Sequence, residues 1–123
     1  MEKNVLIVDD VADIRDMLTV ALSAEGFLVK TTDSLYGALH ILQQESCIDC
    51  MLLDYNLPGM PMEDFLKQIR DVAPKIGIVL ISAVERVAGK AERLGIATYL
   101  GKPFDFDQLR EAMEQCLRLQ QEK

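Results

Sequence analysis

The chain has 123 residues, half of them apolar and 27% charged, with a formal charge of −7 and three cysteines. That length fits one compact domain, expected here to span 1–123, with a core that needs no metal or disulfide staple. The acidic balance excludes a grip on nucleic-acid phosphates or an anionic membrane surface, both of which need clustered Lys and Arg.

The start of the chain lacks a signal-peptide pattern, since its first apolar run stops at two aspartates. The longest apolar stretch, Ile76 to Val84, falls far short of the roughly 20 residues a membrane helix requires. A cytoplasmic protein with reduced thiols is the expectation.

Val5-Leu6-Ile7-Val8 is a continuous apolar run ending at Asp9-Asp10, the pattern of a strand buried on both faces. Ile14, Met17, Leu18, Ala21 and Leu22 follow at helical spacing, and Gly26 stands where a C-terminal cap belongs. Phe27 to Thr31 reads as a less apolar, edge strand. Ser34 then caps a helix striped with Leu35, Ala38, Leu39 and Leu42.

The third unit repeats the plan, with Cys50-Met51-Leu52-Leu53 stopping at Asp54. A loop with Pro58, Gly59 and Pro61 leads to a helix carrying Phe65, Leu66, Ile69 and Val72, closed by Pro74. Ile76 to Ile81 reads as a central strand ending at Ser82, and a short helix through Val87, Ala91 and Leu94 ends at Gly95. Thr98-Tyr99-Leu100 forms a last strand before Lys102-Pro103, and Leu109, Ala112, Met113, Cys116 and Leu117 line the final helix.

Strict strand–helix alternation predicts a doubly wound α/β fold: a parallel five-stranded sheet with helices on both faces. Ligands of such sheets gather at the carboxyl ends of the strands. Those ends carry Asp9 and Asp10, Asp54, Ser82 and, just beyond the fifth strand, Lys102. Converging carboxylates repel unless a cation neutralises them. An all-oxygen site without His or Cys suits Mg²⁺. An Asp carboxylate is a nucleophile toward phosphorus, and a metal with a positioned lysine stabilises the transferring group. Singly, each residue has a plainer role: Asp10 or Asp13 as helix caps, Asp54 in a turn, Ser82 as a cap, Lys102 as a solvated loop residue. Their order along four strand ends favours the common site.

Asp9-Asp10, Asp54 followed by Leu57-Pro58-Gly59-Met60, Ser82-Ala83, and Tyr99-Leu100 before Lys102-Pro103-Phe104 resemble the receiver domain of two-component response regulators. The resemblance covers essentially the whole chain. It implies a flavodoxin-like fold with strand order 2-1-3-4-5 and five helices. It implies Asp54 as phospho-acceptor, Mg²⁺ held by Asp9, Asp10, Asp54 and the backbone carbonyl of Asn56, and Lys102 on the phosphoryl group. Ser82 is then the switch hydroxyl and Tyr99 the aromatic coupled to it. The output face comprises the fourth helix, fifth strand and fifth helix. The implied partners are a sensor histidine kinase or histidine phosphotransfer protein. The downstream effector or linked output domain, and any phosphorylation-dependent dimer, stay open.

Met62 stands where the family usually has glycine, and the Ser82–Gly95 stretch is shorter than is common in it. Val84, two residues after Ser82, is expected to impede water attack on the acyl phosphate. Competing readings are a phosphorylation-independent binding module and a small Mg²⁺-dependent phosphatase, which here lacks a cap segment over a substrate. Cys47 and Cys50 are expected to be ordinary, partly buried thiols, Cys116 a packing residue and His40 solvated.

Overall fold

A computed structural model describes residues 2–45 and 47–121. Strands and helices alternate as expected: β1 Asn4–Val8, α1 Ala12–Ala24, β2 Leu28–Thr32, α2 Leu35–Gln44, β3 Cys50–Asp54, α3 Met62–Val72, β4 Gly77–Ala83, α4 Val87–Leu94, β5 Thr98–Lys102 and α5 Phe106–Gln121. All strand pairs are parallel, in the order β2-β1-β3-β4-β5. This is the doubly wound, flavodoxin-like arrangement.

Alternation along the strands divides the core in two, because successive side chains point to opposite faces. Leu6 and Val8 of β1, Met51 and Leu53 of β3 and Leu80 of β4 pack under α2, α3 and α4. Val5 and Ile7, Cys50 and Leu52, and Val79 and Ile81 meet Leu18 and Leu22 of α1 and Leu109, Ala112 and Met113 of α5. Both faces are covered, which is why β1, β3 and β4 are apolar runs rather than alternating ones. The edge strand β2 is the polar exception, with Lys30, Thr31 and Thr32.

Local signals act where the sequence places them. Ser34 Oγ accepts from the Gly37 amide at 2.9 Å and caps α2. After α1 the chain reverses through Gly26 at φ +94°, and Gly95 closes α4 at φ +73°, backbone conformations that favour glycine. The expected boundaries shift little, β2 starting at Leu28 rather than Phe27. Two residues assigned to buried stripes lie at their borders: Met17 is 48% exposed and Val72 37%. Val72 is the last residue of α3, where the chain turns away toward Pro74.

The cysteines depart from expectation. Cys47 is exposed, whereas Cys50 and Cys116 are both buried, their sulfurs 3.1 Å apart between β3 and α5. The hydrogen bond to Cys116, reinforced by burial, pushes the Cys50 thiol well above its ordinary pKa and keeps it protonated. Gly77 makes room for this pair, since a Cβ there would stand 2.5 Å from Cys116 Sγ.

Phe65 is fully buried beneath α3, so Phe65→Ala is expected to cost about 3–5 kcal/mol through lost transfer energy and a residual cavity. Val72→Ala, at the helix edge, should cost about 0.5 kcal/mol or less. Urea unfolding midpoints with unchanged slopes check both values.

Candidate functional site

The sheet register assembles the site. Val8 of β1 pairs with Leu53 of β3, so the residues that follow, Asp9 and Asp54, emerge side by side at the carboxyl edge. On the other side of β3, Asp54 pairs with Ile81, and Ser82 comes one position later. Ser82 in turn pairs with Gly101, which brings Lys102 to the same rim. Asp9, Asp10, Asp54, Ser82 and Lys102, scattered over most of the chain, thus share one edge.

Asp9 and Asp54 are nearly inaccessible, at 1% and 4% exposure, while Asp10 faces solvent. One oxygen from each of the three carboxylates fits within a 4.8 Å group. Each buried carboxylate is half satisfied by the backbone. Asp9 Oδ1 accepts from the Val11 amide at 2.9 Å, and Asp54 Oδ1 from the Asn56 amide at 3.1 Å. Arg15 Nη1 donates to the Asp9 carbonyl at 2.7 Å and steadies the turn into α1. Lys102 Nζ lies 3.5 Å from Asp9 Oδ2 and 3.8 Å from Asp54 Oδ2. These are ion-pair distances, beyond good hydrogen bonds.

Asp9 Oδ2 is therefore a buried anionic oxygen without a hydrogen-bond partner. Such an atom is costly unless something positive meets it. The donor set around it, three carboxylates open to solvent through Asp10, fits a hard divalent cation that keeps part of its water shell. Asn56, two positions beyond Asp54, is exposed.

Burial raises the pKa of the Asp54 carboxyl above its ordinary value. The Asn56 amide and Lys102 pull it down, and the charges of Asp9 and Asp10 push it up. Without a cation, an ionised Asp54 sits in a place that disfavours its charge.

Of the plainer roles, a turn at Asp54 is present, its Oδ1 accepting from the Asn56 amide two residues on, but the capping roles are not. No side chain caps α1, whose N-cap position is Val11, and Ser82 lies within β4 rather than capping α4. Lys102 ends β5, paired to two carboxylates rather than loose in solvent. Its peptide bond to Pro103 is cis. Val84 is 57% exposed, and its amide donates to the Lys102 carbonyl at 2.9 Å. Gly101 permits that approach, because a Cβ there would come 2.6 Å from Val84 Cα. Tyr99 is half-exposed on β5, and its partner Leu80 stands two residues before Ser82. His40 is exposed, and Met62 is buried in the α2–α4 core. Recesses of about 350 and 340 Å³ line the opposite end of the molecule, around Ile76, Pro74 and Gln120, remote from the carboxylates.

Sequence reading missed two participants near the rim. Lys90 of α4 places Nζ 3.4 Å from Ser82 Oγ and 3.9 Å from the centroid of the Tyr55 ring. Nothing in the local sequence separates Lys90 from any solvated helix lysine.

Residues 5–114 match the family described as the response regulator receiver domain. The chain belongs to that family. It is 31% identical to sporulation initiation phosphotransferase F of Bacillus subtilis, over 97% of both chains. It is also 33% identical to the regulatory protein AtoC of Escherichia coli, over 97% of this chain but 26% of that protein. Among solved structures, chemotaxis protein CheY4 of Vibrio cholerae superposes with a TM-score of 0.81 at 26% identity, covering 95% of this chain and 100% of that one. NtrX of Brucella abortus gives 0.87 at 30% identity, covering 98% of this chain and 28% of NtrX. The receiver is thus a signalling domain that occurs both nearly alone and as a fraction of longer relatives. Among its described residues, no helix is long and apolar enough to cross a membrane.

The raised Asp54 pKa makes a signed prediction for the metal-free receiver. A folded-state pKa above the unfolded one gives stability that is complete below the unfolded carboxyl's titration, near ~4, and is lost as pH rises through the folded value. Asp54→Asn removes that loss. Its unfolding temperature should exceed that of wild type at neutral pH, and the gap should close as pH approaches ~4. A gap independent of pH in thermal melts would contradict this.

Proposed function

We propose that this receiver takes a phosphoryl group from a phosphohistidine of a sensor kinase or histidine phosphotransfer protein onto Asp54, in a Mg²⁺-dependent reaction. The unit acting is the receiver formed by residues 1–123. The observation that carries this reading is the group of three carboxylates in which buried Asp9 Oδ2 accepts no hydrogen bond and meets only the Lys102 ammonium, at ion-pair distance. Asp9, Asp10, Asp54 and the Asn56 carbonyl would hold the ion. When bound, Mg²⁺ supplies positive charge that lets Asp54 stay ionised and offsets charge on the phosphoryl oxygens.

An Asp54 carboxylate oxygen attacks phosphorus, the P–N bond breaks, and the leaving imidazole keeps the electron pair and takes a proton from solvent. The Asn56 amide, bonded to Asp54 Oδ1, leaves the other oxygen to attack. Lys102, already within ion-pair distance of both buried carboxylates, lies where it can meet the incoming phosphoryl charge. The hydroxyl of Ser82, next to Asp54's strand partner, donates to a phosphoryl oxygen. Tyr99 on β5, adjoining the same face, couples that movement to the α4–β5–α5 surface. The domain catalyses its own phosphorylation and dephosphorylation, and no turnover of free substrates is expected.

The test is intact mass after incubation with acetyl phosphate. Wild type should gain one acid-labile phosphoryl group with Mg²⁺ present and none without it. Asp54→Asn should gain none in either case. A folded wild type that takes up no phosphoryl group under any condition would point instead to a binding role independent of phosphorylation.

Val84 bears on how long the signal lasts. Its amide is tied to the carbonyl of Lys102, the residue that lies within ion-pair distance of Asp54, and its apolar side chain is exposed. A carboxylate or amide there can orient an attacking water where an isopropyl group cannot. Val84→Glu and Val84→Gln should shorten the lifetime of the phosphorylated form severalfold, followed by loss of phosphoryl mass after donor removal. An unchanged lifetime would rule the side chain out.

A further inference from the structure

We propose that Lys90 is a positioning residue for Ser82, restraining the switch hydroxyl on the α4 side of the resting protein and tying it to that helix; this rests on the phospho-acceptor reading of Asp54. Helix α4 follows β4 after a three-residue link and starts at the carboxyl rim, with Val87, Ala91 and Leu94 buried against the sheet. Helical side chains lean toward the helix N-terminus. Lys90, adjoining this buried stripe, therefore extends toward the rim rather than away from it.

Its ammonium group meets two partners there. Nζ stands 3.4 Å from the hydroxyl of Ser82, which is 1% exposed, and 3.9 Å from the centre of the Tyr55 ring. The ring itself is held. Its hydroxyl accepts from Arg93 Nη2, also on α4, at 2.9 Å, and the Tyr55 amide donates to the Ile81 carbonyl at 2.8 Å. Tyr55 adjoins the nucleophile in sequence and Ile81 adjoins Ser82, so one ammonium joins both flanks of the site to α4. Among the described residues no carboxylate lies within ion-pair distance of Lys90, whereas Lys102 is paired with Asp9 and Asp54. The two lysines divide the rim, one serving the carboxylates and the other the hydroxyl and the ring.

A phosphoryl group on Asp54 adds negative charge that draws the Ser82 hydroxyl toward it. The bond from Lys90 opposes that turn, and breaking it releases the first turns of α4. The contact is long for a hydrogen bond and partly solvated, so the restraint is modest and reversible.

Beryllofluoride with Mg²⁺, a non-covalent phosphoryl analogue, supplies the test by titration of ¹⁵N-labelled protein. Lys90→Met keeps the stem and removes the charge; it should lower the half-saturating beryllofluoride on the order of fivefold, the scale of one ordinary net hydrogen bond. Resting α4 amides of Lys90→Met should also shift part-way toward their positions in saturated wild type. Tyr55→Leu, which removes the ring face that holds the ammonium, should reproduce both effects, and Lys90→Arg should fall nearer wild type. Thermal unfolding of each variant separates these effects from loss of the fold, and the Tyr55 variant carries the test if Lys90→Met does not fold. Unchanged half-saturation in Lys90→Met and Tyr55→Leu, with wild type binding normally, overturns the restraint and leaves the Asp54 reading intact. Weaker binding in Lys90→Met also overturns it, making Lys90 a cation that contacts the phosphoryl group. A wild type that neither binds beryllofluoride nor gains phosphoryl mass overturns both.

Discussion

The crowding of negative charge at the carboxyl ends of β1 and β3 is the constraint on which this domain turns. Two nearly inaccessible carboxylates, Asp9 and Asp54, stand on adjacent strands because Val8 and Leu53 are register partners. Burial disfavours ionisation of Asp54, whereas the proposed phosphoryl transfer would need it ionised. The rim relieves this conflict in part, through backbone amides on one oxygen of each carboxylate and the ammonium of Lys102 shared between them. The unsatisfied Asp9 oxygen leaves the balance to a cation. On the proposed function, affinity for a metal and readiness to accept a phosphoryl group would both follow from the same unfavourable electrostatics.

That electrostatic load is tolerable because the sheet beneath it is rigid. β1, β3 and β4 are covered on both faces, and their apolar residues divide cleanly between two cores. Close-packed strands cannot spread to relax repulsion at their ends. The edge strand β2 is free to be polar, since it has one strand neighbour and most of its residues reach solvent. At the other edge, β5 delivers Lys102 and keeps Tyr99 half-exposed. The missing side chain of Gly101 lets the chain beyond β4 close against β5, tying Val84 to the Lys102 backbone.

Much of this was legible in the sequence. Unbroken apolar runs of four to six residues, each followed by a helical stripe, specify buried parallel strands and crossover helices, because the pattern depends on local periodicity and total burial alone. The right-handed crossover rule then orders the possibilities. Asp9, Asp10, Asp54, Ser82 and Lys102 could be nominated because each stands at or beside a strand end, and strand ends in such a sheet share one rim. Ser34, Gly26 and Gly95 declared themselves as helix boundaries by side-chain chemistry and backbone freedom.

Other features were decided only by the tertiary structure. Whether Asp9 Oδ2 finds a donor, and how far Lys102 stands from each carboxylate, depends on strand register and rotamers. The Cys50–Cys116 contact joins residues 66 positions apart, while Cys47 is exposed; nothing in the sequence pattern announces that contact. Lys90 carries no signature at all, since its meeting with Ser82 and Tyr55 depends on how α4 lies across the end of β4. Periodicity is a property of neighbours in sequence and can be read directly. Contacts between elements are set by packing angles and side-chain lean, which the whole folded chain determines together.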